Sequence, residues 1–311
     1  MLGHDLEPNR IYKEASRVGA EWKALGPRLV NFTRKNDVAI LYSVDSHHGI
    51  EAMPFDDKTN YLTVLHQMHR ALFNLNVGTD FVFPETEDLS RYKVILVPPL
   101  YVASDTLLQR LSDFVRNGGH LVMSFKSGFT DENDTVRHTR MPGPLREAAG
   151  FSYQEFSTIK GRVPFKRNSY ATNPQANAAS VWAEMLIPEG AKTLVSYDHP
   201  FFGQYPAITR NAFGKGTLTY EGTVLSDELQ RSLLAEELAL HGSARSREAA
   251  CRREGEARNR ELRQTDALLP ELFSRSPDGD LRLRRRQGVD RKQDRSCKRG
   301  DAHRPLGFGN R

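Results

Sequence analysis

Three features of the sequence predict an α/β fold, with a parallel sheet and helices on both of its faces. Short runs such as "DVAILYS" and "YKVILVPPL" are apolar almost throughout, as strands buried on both sides require. Longer stretches between them carry apolar residues three and four apart, the spacing of amphipathic helices. The two patterns alternate along the chain, and parallel strands need such crossover helices to connect them.

The first element predicted is a helix over "EPNRIYKEASRVGAEWKAL". Pro8 suits its first turn, and Ile11, Ala15, Val18, Trp22 and Leu25 recur in alternating steps of four and three. That stripe needs a partner surface, and no second helix precedes the next element. An unmatched helix at this point is expected of a chain that starts inside something larger.

From Asp37 the strand–helix alternation begins. "DVAILYS" is the first strand, "VDSHHGIEAMPFDDKTN" a loop, and "YLTVLHQMHRALFNLNVG" a helix. Leu62, Leu65, Met68 and Leu72 would form the buried face of that helix, Asn60 its cap and Gly78 its end. "DFVFPE" and "YKVILVPPL" follow as strands. Ser104 caps "DTLLQRLSDFVRNGG", whose Leu107, Leu108, Leu111, Phe114 and Val115 share one side, and Gly118-Gly119 stops it. "HLVMSF" is the fourth strand. Shorter alternating strands are predicted at "SVWAEMLI", "KTLVSY", "PAITRN" and "GTLTYEG", with "NAFGKG" as a hairpin turn. "SDELQRSLLAEELAL" closes the body as an amphipathic helix. In a sheet of this kind sites form in loops at the carboxyl ends of the strands, here "VDSHHGIE", "PLYVAS" and "KSGFTDENDTVRH".

The chain has 311 residues, enough for one large domain or two ordinary ones, and a net charge of +5. That charge is unevenly spread. Residues 241–311 hold 19 Lys and Arg against 11 Asp and Glu, so residues 1–240 are mildly acidic, with 25 basic and 28 acidic side chains. Both cysteines, Cys251 and Cys297, also lie in the tail. The body therefore has neither a disulfide framework nor a cysteine-based zinc site. A cytoplasmic setting fits, and no secretory leader or membrane span is expected, because no apolar run approaches 18 residues.

Chemistry-bearing residues are sparse. Asp45, His47, His48 and Glu51 are the densest set of possible metal ligands. Adjacent residues on extended chain point to opposite sides, so the two imidazoles are not expected to share an ion, and loop packing or an interface is the reading preferred. Asp131, Glu132 and Asp134 lack the alternating ligands and central glycine of a calcium loop. His66 and His69 fall within a helical apolar pattern and are expected at the core edge. "GKGT" comes late, between short strands, and is not read as a phosphate cradle. G-x-S-x-G, a P-loop and G-x-G-x-x-G after a strand do not occur. Without a cysteine the body has no Cys-His chemistry. No catalytic, cofactor-binding or metal-binding residue is assigned.

Longer stretches carry a more specific signal. "KNDVAILYSVDSHHGIE", "NYLTVLHQMHRALFNLNVGTDFVFPE", "RYKVILVPPLYVAS", "GGHLVMSFKSGFTDENDTVRH", "GPLREAAGF", "SVWAEMLIPE" and "HPFFGQYPAITRNAFGKGTLTYEGT" resemble, in order, the glycoside hydrolase family 42 β-galactosidases. The resemblance covers residues 1 to about 240. It implies that residues 37–240 are the family's trimerisation domain, with a flavodoxin-like or class I glutamine-amidotransferase-like fold, and that the chain self-associates as a homotrimer. It also implies that residues 1–36 correspond to the last helix of a (β/α)₈ barrel and a linker. The family's two catalytic glutamates belong to that barrel, and no residue here matches either. The family is a retaining hydrolase of terminal β-galactosides, so this chain is expected to be inert alone. The alternatives are a stand-alone α/β ligand-binding or assembly module, and weak nucleic-acid binding through the tail.

The tail, residues 241–311, includes "DLRLRRRQGVDRKQDRSCKR". Of its 19 basic residues 17 are Arg, and acids are interspersed among them. A nucleic-acid arm mixes Lys with Arg and adds aromatic or small residues. With permitted codons read one base later, "DLRLRRRQ" gives "TYAYGAGK", "ALLPELF" gives "HYYLNYS" and "PLGFGNR" gives "PWDLAIV". These strings resemble the family's C-terminal β domain. The reading frame is therefore expected to be lost near residues 240–250, leaving a tail that is disordered as translated.

Overall fold

The computed structural model describes residues 2–30 and 35–242, so the expectation for the tail from Ser243 onward lies outside the described residues. Two compact units divide at Asn36 and Asp37.

The first unit holds α1 (Arg10–Leu29). Its N-cap is Asn9, whose side chain accepts from the Tyr12 N–H at 3.0 Å, so Pro8 precedes the helix instead of sitting in its first turn. An asparagine side chain satisfies one of the free amides of the first turn, which proline cannot do. Ile11, Trp22 and Leu25 are exposed, as the unmatched stripe implied.

The second unit opens with β1 (Val38–Leu41), fully buried as its apolar sequence predicts. α2 (Val44–Ala52) follows directly, where a loop was expected. Ser43 explains it: its hydroxyl accepts from Ser46 N–H at 3.1 Å and starts a helix too short and mixed to show a periodic signature. α3 (Tyr61–Asn74) is capped by Asn60 and buries Leu65, Met68 and Leu72 as expected, with Tyr61, Val64 and Ala71 added. The helix stops before Gly78, because Asn76 takes the left-handed turn at φ +55°.

β2 (Thr79–Val82), β3 (Val94–Val97), α4 (Asp105–Arg116) and β4 (His120–Ser124) come next. Ser104 caps α4, and Gly118 leaves it at φ +112°. Gly119 has no room for a side chain, since a Cβ there would stand 2.3 Å from the Phe114 ring. Beyond β4 lie α5 (Arg146–Ala149), β5 (Phe151–Ser152), β6 (Phe156–Pro164), β7 (Ala178–Glu184), β8 (Ile187–Pro188), β9 (Lys192–Ser196), β10 (Pro206–Phe213), β11 (Gly216–Glu221), β12 (Thr223–Val224) and α6 (Asp227–Leu240).

The main sheet has seven strands in the order β2-β1-β3-β4-β11-β10-β9. β2, β1, β3, β4 and β11 are parallel, and β10 runs against both its neighbours. The crossover from β1 through α3 to β2 runs one way along the sheet, and that from β3 through α4 to β4 runs the other. With right-handed crossovers this places α3 and α4 on opposite faces. α6 lies beside α3, joined by Gln67 Nε2 to the Leu225 carbonyl at 2.9 Å and by the Arg70–Asp227 ion pair at 3.3 Å. β12, β7 and β6 form a smaller antiparallel sheet. Among the described residues no helix is long and apolar enough to cross a membrane.

Candidate functional site

The strands from β1 to β3 are parallel, but the chain winds outward in opposite directions from this boundary, and in an open α/β sheet ligands bind in the crevice beyond the carboxyl ends at such a point. Here the chain's own residues occupy the crevice. Ser46, on α2, donates its hydroxyl to the Val102 carbonyl and accepts from the Val102 N–H, both at 3.0 Å. Gly49 lies so close to the next connection that a Cβ would stand 3.1 Å from Tyr101 and Val102. Thr130 completes the seam, its hydroxyl donating to the Tyr101 carbonyl at 3.0 Å. The three loops named from sequence are thus brought together, and they bond to one another.

Beside this seam lies a cluster that the sequence reading missed. Lys126, just past β4, adopts φ +57° and is only 7 % exposed. Its ammonium faces the rings of Trp182 at 4.6 Å, Tyr101 at 5.0 Å, Phe129 at 5.2 Å, Phe55 at 5.8 Å and Phe156 at 6.0 Å. The negative faces of these rings replace part of the water a buried ammonium loses. Burial nevertheless holds the Lys126 pKa below its ordinary value, against the attraction of Glu184.

Glu184 is fully buried. It accepts from the Lys126 backbone N–H at 2.7 Å, Trp182 Nε1 at 3.2 Å and the Tyr220 hydroxyl at 2.9 Å. Burial pushes its pKa up to about 7, although these donors pull the other way. The carboxyl therefore ties β4, β7 and β11 together. Its three donors are committed to packing, so it is not poised as an acid or base for an outside substrate. The residue was hidden in "SVWAEMLI", where a single acid in an alternating strand reads as solvent-facing. β7 also bulges against β12 just before it, with Val181 at φ +67°.

A second polar network joins β10 and β11 to α6. Arg210 donates to Glu237 at 2.6 Å and to Glu236 at 3.0 Å, and the Thr219 hydroxyl donates to Glu237 at 2.6 Å. Burial alone would raise Glu237, but hydrogen bonds with His241, Thr219 and Arg210 hold it below the ordinary range. Burial and the neighbouring His241 ring, 3.2 Å away between centroids, push His120 down to about 4. Glu221 is buried with Gln230 donating at 2.7 Å, and burial raises it to about 8.

The residues singled out from sequence are distributed as follows. Asp45, His47, His48 and Glu51 all lie on α2 and not on extended chain. His47 is engaged by the Tyr42 hydroxyl at Nδ1, 3.0 Å, while its Nε2 lies 3.1 Å from Glu51. The Asp131 carboxylate accepts from the Asn133 and Thr135 N–H groups, both at 2.9 Å, which folds its loop on itself. His66 and His69 are exposed instead of at the core edge, because they fall on the outer side of α3; His69 stacks on Phe81. "GKGT" forms the β10–β11 turn at the amino end of β4, with no helix after it. Among the described residues no group of three or more His, Cys, Asp or Glu is arranged to hold a metal ion.

Residues 36–242 match the family model for the β-galactosidase trimerisation domain. The chain is 35% identical over 246 residues to β-galactosidase BgaB of Geobacillus sp. (strain Y412MC61), covering 78% of this chain and 35% of that protein. It is 32% identical over 250 residues to β-galactosidase GalA of Bacillus licheniformis, covering 77% and 36%. Among solved structures, β-galactosidase from Bacillus circulans sp. alkalophilus superposes with a TM-score of 0.71 at 25% identity, over 78% of this chain and 36% of that one. The GH42 β-galactosidase Gan42B superposes with a TM-score of 0.69 at 29% identity, over 77% and 35%. The chain thus spans about a third of the length of the curated relatives it matches.

Proposed function

Because this chain belongs to the glycoside hydrolase family 42 β-galactosidases, carrying their trimerisation domain, we propose that it works in assembly and not in catalysis. The match over residues 36–242 carries this reading, since it takes in nearly the whole second unit. The seam at the carboxyl ends of β1 and β3 supports it, because the place where such a sheet would bind a ligand is filled by Ser46, Gly49 and Thr130. Hydrolysis of terminal β-D-galactosides belongs, in this proposal, to a (β/α)₈ barrel with two catalytic glutamates that these 311 residues do not encode. The stand-alone binding module and the nucleic-acid reading are not favoured.

The finer parts of the proposal are these. Residues 1–36 are the last barrel helix and a linker, and residues 37–240 the trimerisation domain. The strand order β2-β1-β3-β4-β11 supports a flavodoxin-like or amidotransferase-like fold. The assembly is a homotrimer, in a cytoplasmic setting consistent with the cysteine-free body. Residues 241–311 are read in a shifted frame, and coding DNA whose codons cannot yield the shifted strings would end that part of the proposal.

Two assays on the purified 311-residue chain test the whole. Graded chemical cross-linking is expected to give a ladder that stops at three subunits, and a chromogenic β-galactoside is expected to show no turnover. Turnover by the purified chain would contradict the division of labour.

A further inference from the structure

Lysine is almost never buried without a partner, because its ammonium gives up water that something must replace. Lys126 is 7 % exposed, yet among the described residues no carboxylate pairs with its Nζ and no oxygen accepts from it. What surrounds the charge is aromatic. Phe55 follows α2, Tyr101 follows β3, Phe129 follows β4, Phe156 opens β6 and Trp182 lies on β7. All five ring centroids stand between 4.6 and 6.0 Å from Nζ, and a cation within about 6 Å of a ring face is attracted by it.

The rings brace one another, so the space between them is held in shape, as a recognition site needs to be. Trp182 stacks on Phe156 with centroids 4.9 Å apart. Phe129 meets Phe156 edge-on at 5.5 Å and stacks with Tyr101 at 5.8 Å, and Phe55 stands 6.2 Å from Trp182. Phe156, 42 % exposed, is the outer wall, and the other four rings are buried. The backbone of Lys126 is fixed separately, at φ +57° with its N–H donating to Glu184 at 2.7 Å. An ordinary apolar core would fill such a space with leucine or methionine. Five rings gathered around one cation are instead the arrangement by which proteins recognise ammonium ligands.

We propose that these rings form a binding cage for an alkylammonium ion, filled in this chain by its own Lys126 and able to take a free alkylammonium in its place. The cage lies past the carboxyl end of β4, beside the seam where a sheet of this kind takes a ligand from outside. Lys126 is thus a built-in ligand, and it sets the chemistry of any substitute: a primary ammonium on an unbranched apolar stem. Phosphates and carboxylates do not fit, because the negative ring faces repel anions. The lowered pKa of Lys126 agrees with rings that replace only part of the lost water. The cage does not depend on how copies of the chain assemble.

Lys126→Gly empties the cage and leaves its surroundings in place, since glycine suits φ +57° and keeps the N–H that Glu184 accepts. The variant, in the 311-residue chain, is titrated with n-butylammonium, which restores the carbons and charge of the lost side chain. A parallel titration uses butan-1-ol, its neutral match. Tryptophan emission reports on Trp182 in the cage wall, and the thermal midpoint reports on stability. The ammonium is expected to bind saturably and raise the midpoint, with butan-1-ol weaker by about tenfold. The parent, its cage already filled, should respond to neither. Equal binding of the two would overturn the inference, because the space would then be a simple apolar hole. A folded glycine variant that binds neither would overturn it as well. Lys126→Met carries the test if the glycine variant does not fold, since methionine keeps an unbranched stem and the same backbone and loses the charge. Its folding equilibrium constant in urea unfolding is expected to fall about tenfold below the parent's. A methionine variant as stable as the parent would show that the rings hold no preference for a cation, and the inference would fall.

Discussion

Glu184 and Lys126 show how a side chain's surroundings decide its work. Replacing Glu184 by alanine would leave the Lys126 N–H, Trp182 Nε1 and the Tyr220 hydroxyl without their common acceptor. A loss of about 3–5 kcal/mol is expected in urea unfolding. Glu184→Gln keeps an acceptor oxygen and should cost clearly less. Buried acids also set the pH response. Glu184 and Glu221 titrate in the folded chain near 7 and 8, above the ordinary 4.5. Between those values the unfolded chain has released its protons while the native chain still holds them. Their contribution to stability therefore falls as pH rises through that window and levels off above it. Glu221→Gln removes one of the two and is expected to stabilise the chain by on the order of 2 kcal/mol at about pH 8, with little change at about pH 4. Urea midpoints across that range would check the sign. None of this was legible in the sequence, because an acid in an alternating strand looks the same whether it faces water or a tryptophan.

Among the elements, strong local signals were read well and weak ones were not. "DVAILYS" and "YKVILVPPL" form β1 and β3, and Asn60, Ser104 and the glycine pair mark the helix ends they were expected to mark. α2 was missed because its start depends on one serine hydroxyl and its face is fixed by contacts with Tyr101 and Val102, distant in sequence. β6 was missed for a related reason. Only Val163 of its residues is buried, so pairing with β7 and not burial defines it. Two substitutions test the boundaries. Ser104→Ala should cost about 1 kcal/mol, since the Leu107 N–H loses its 3.2 Å acceptor. Gly214→Ala should cost more, because Gly214 sits at φ +61° and a Cβ would stand 2.4 Å from the Arg116 carbonyl. The comparison is a pair of thermal or urea transitions on the two variants.

At the scale of the molecule, the α/β architecture was legible from alternation, whereas the three-stranded sheet β12-β7-β6 was not, because its pairing spans residues far apart in sequence. The candidate site followed the same division. The sequence located the three carboxyl-end loops, but only the fold brings them into a closed seam with Lys126 and Glu184 beside it. Residues 36–242 match a trimerisation domain, and the assembly reading rests on that match. Assembly is therefore the central claim, and sedimentation equilibrium of the 311-residue chain tests it most directly. The expected result is a species of three times the 35.2 kDa monomer mass. A single 35.2 kDa species at every concentration would contradict it.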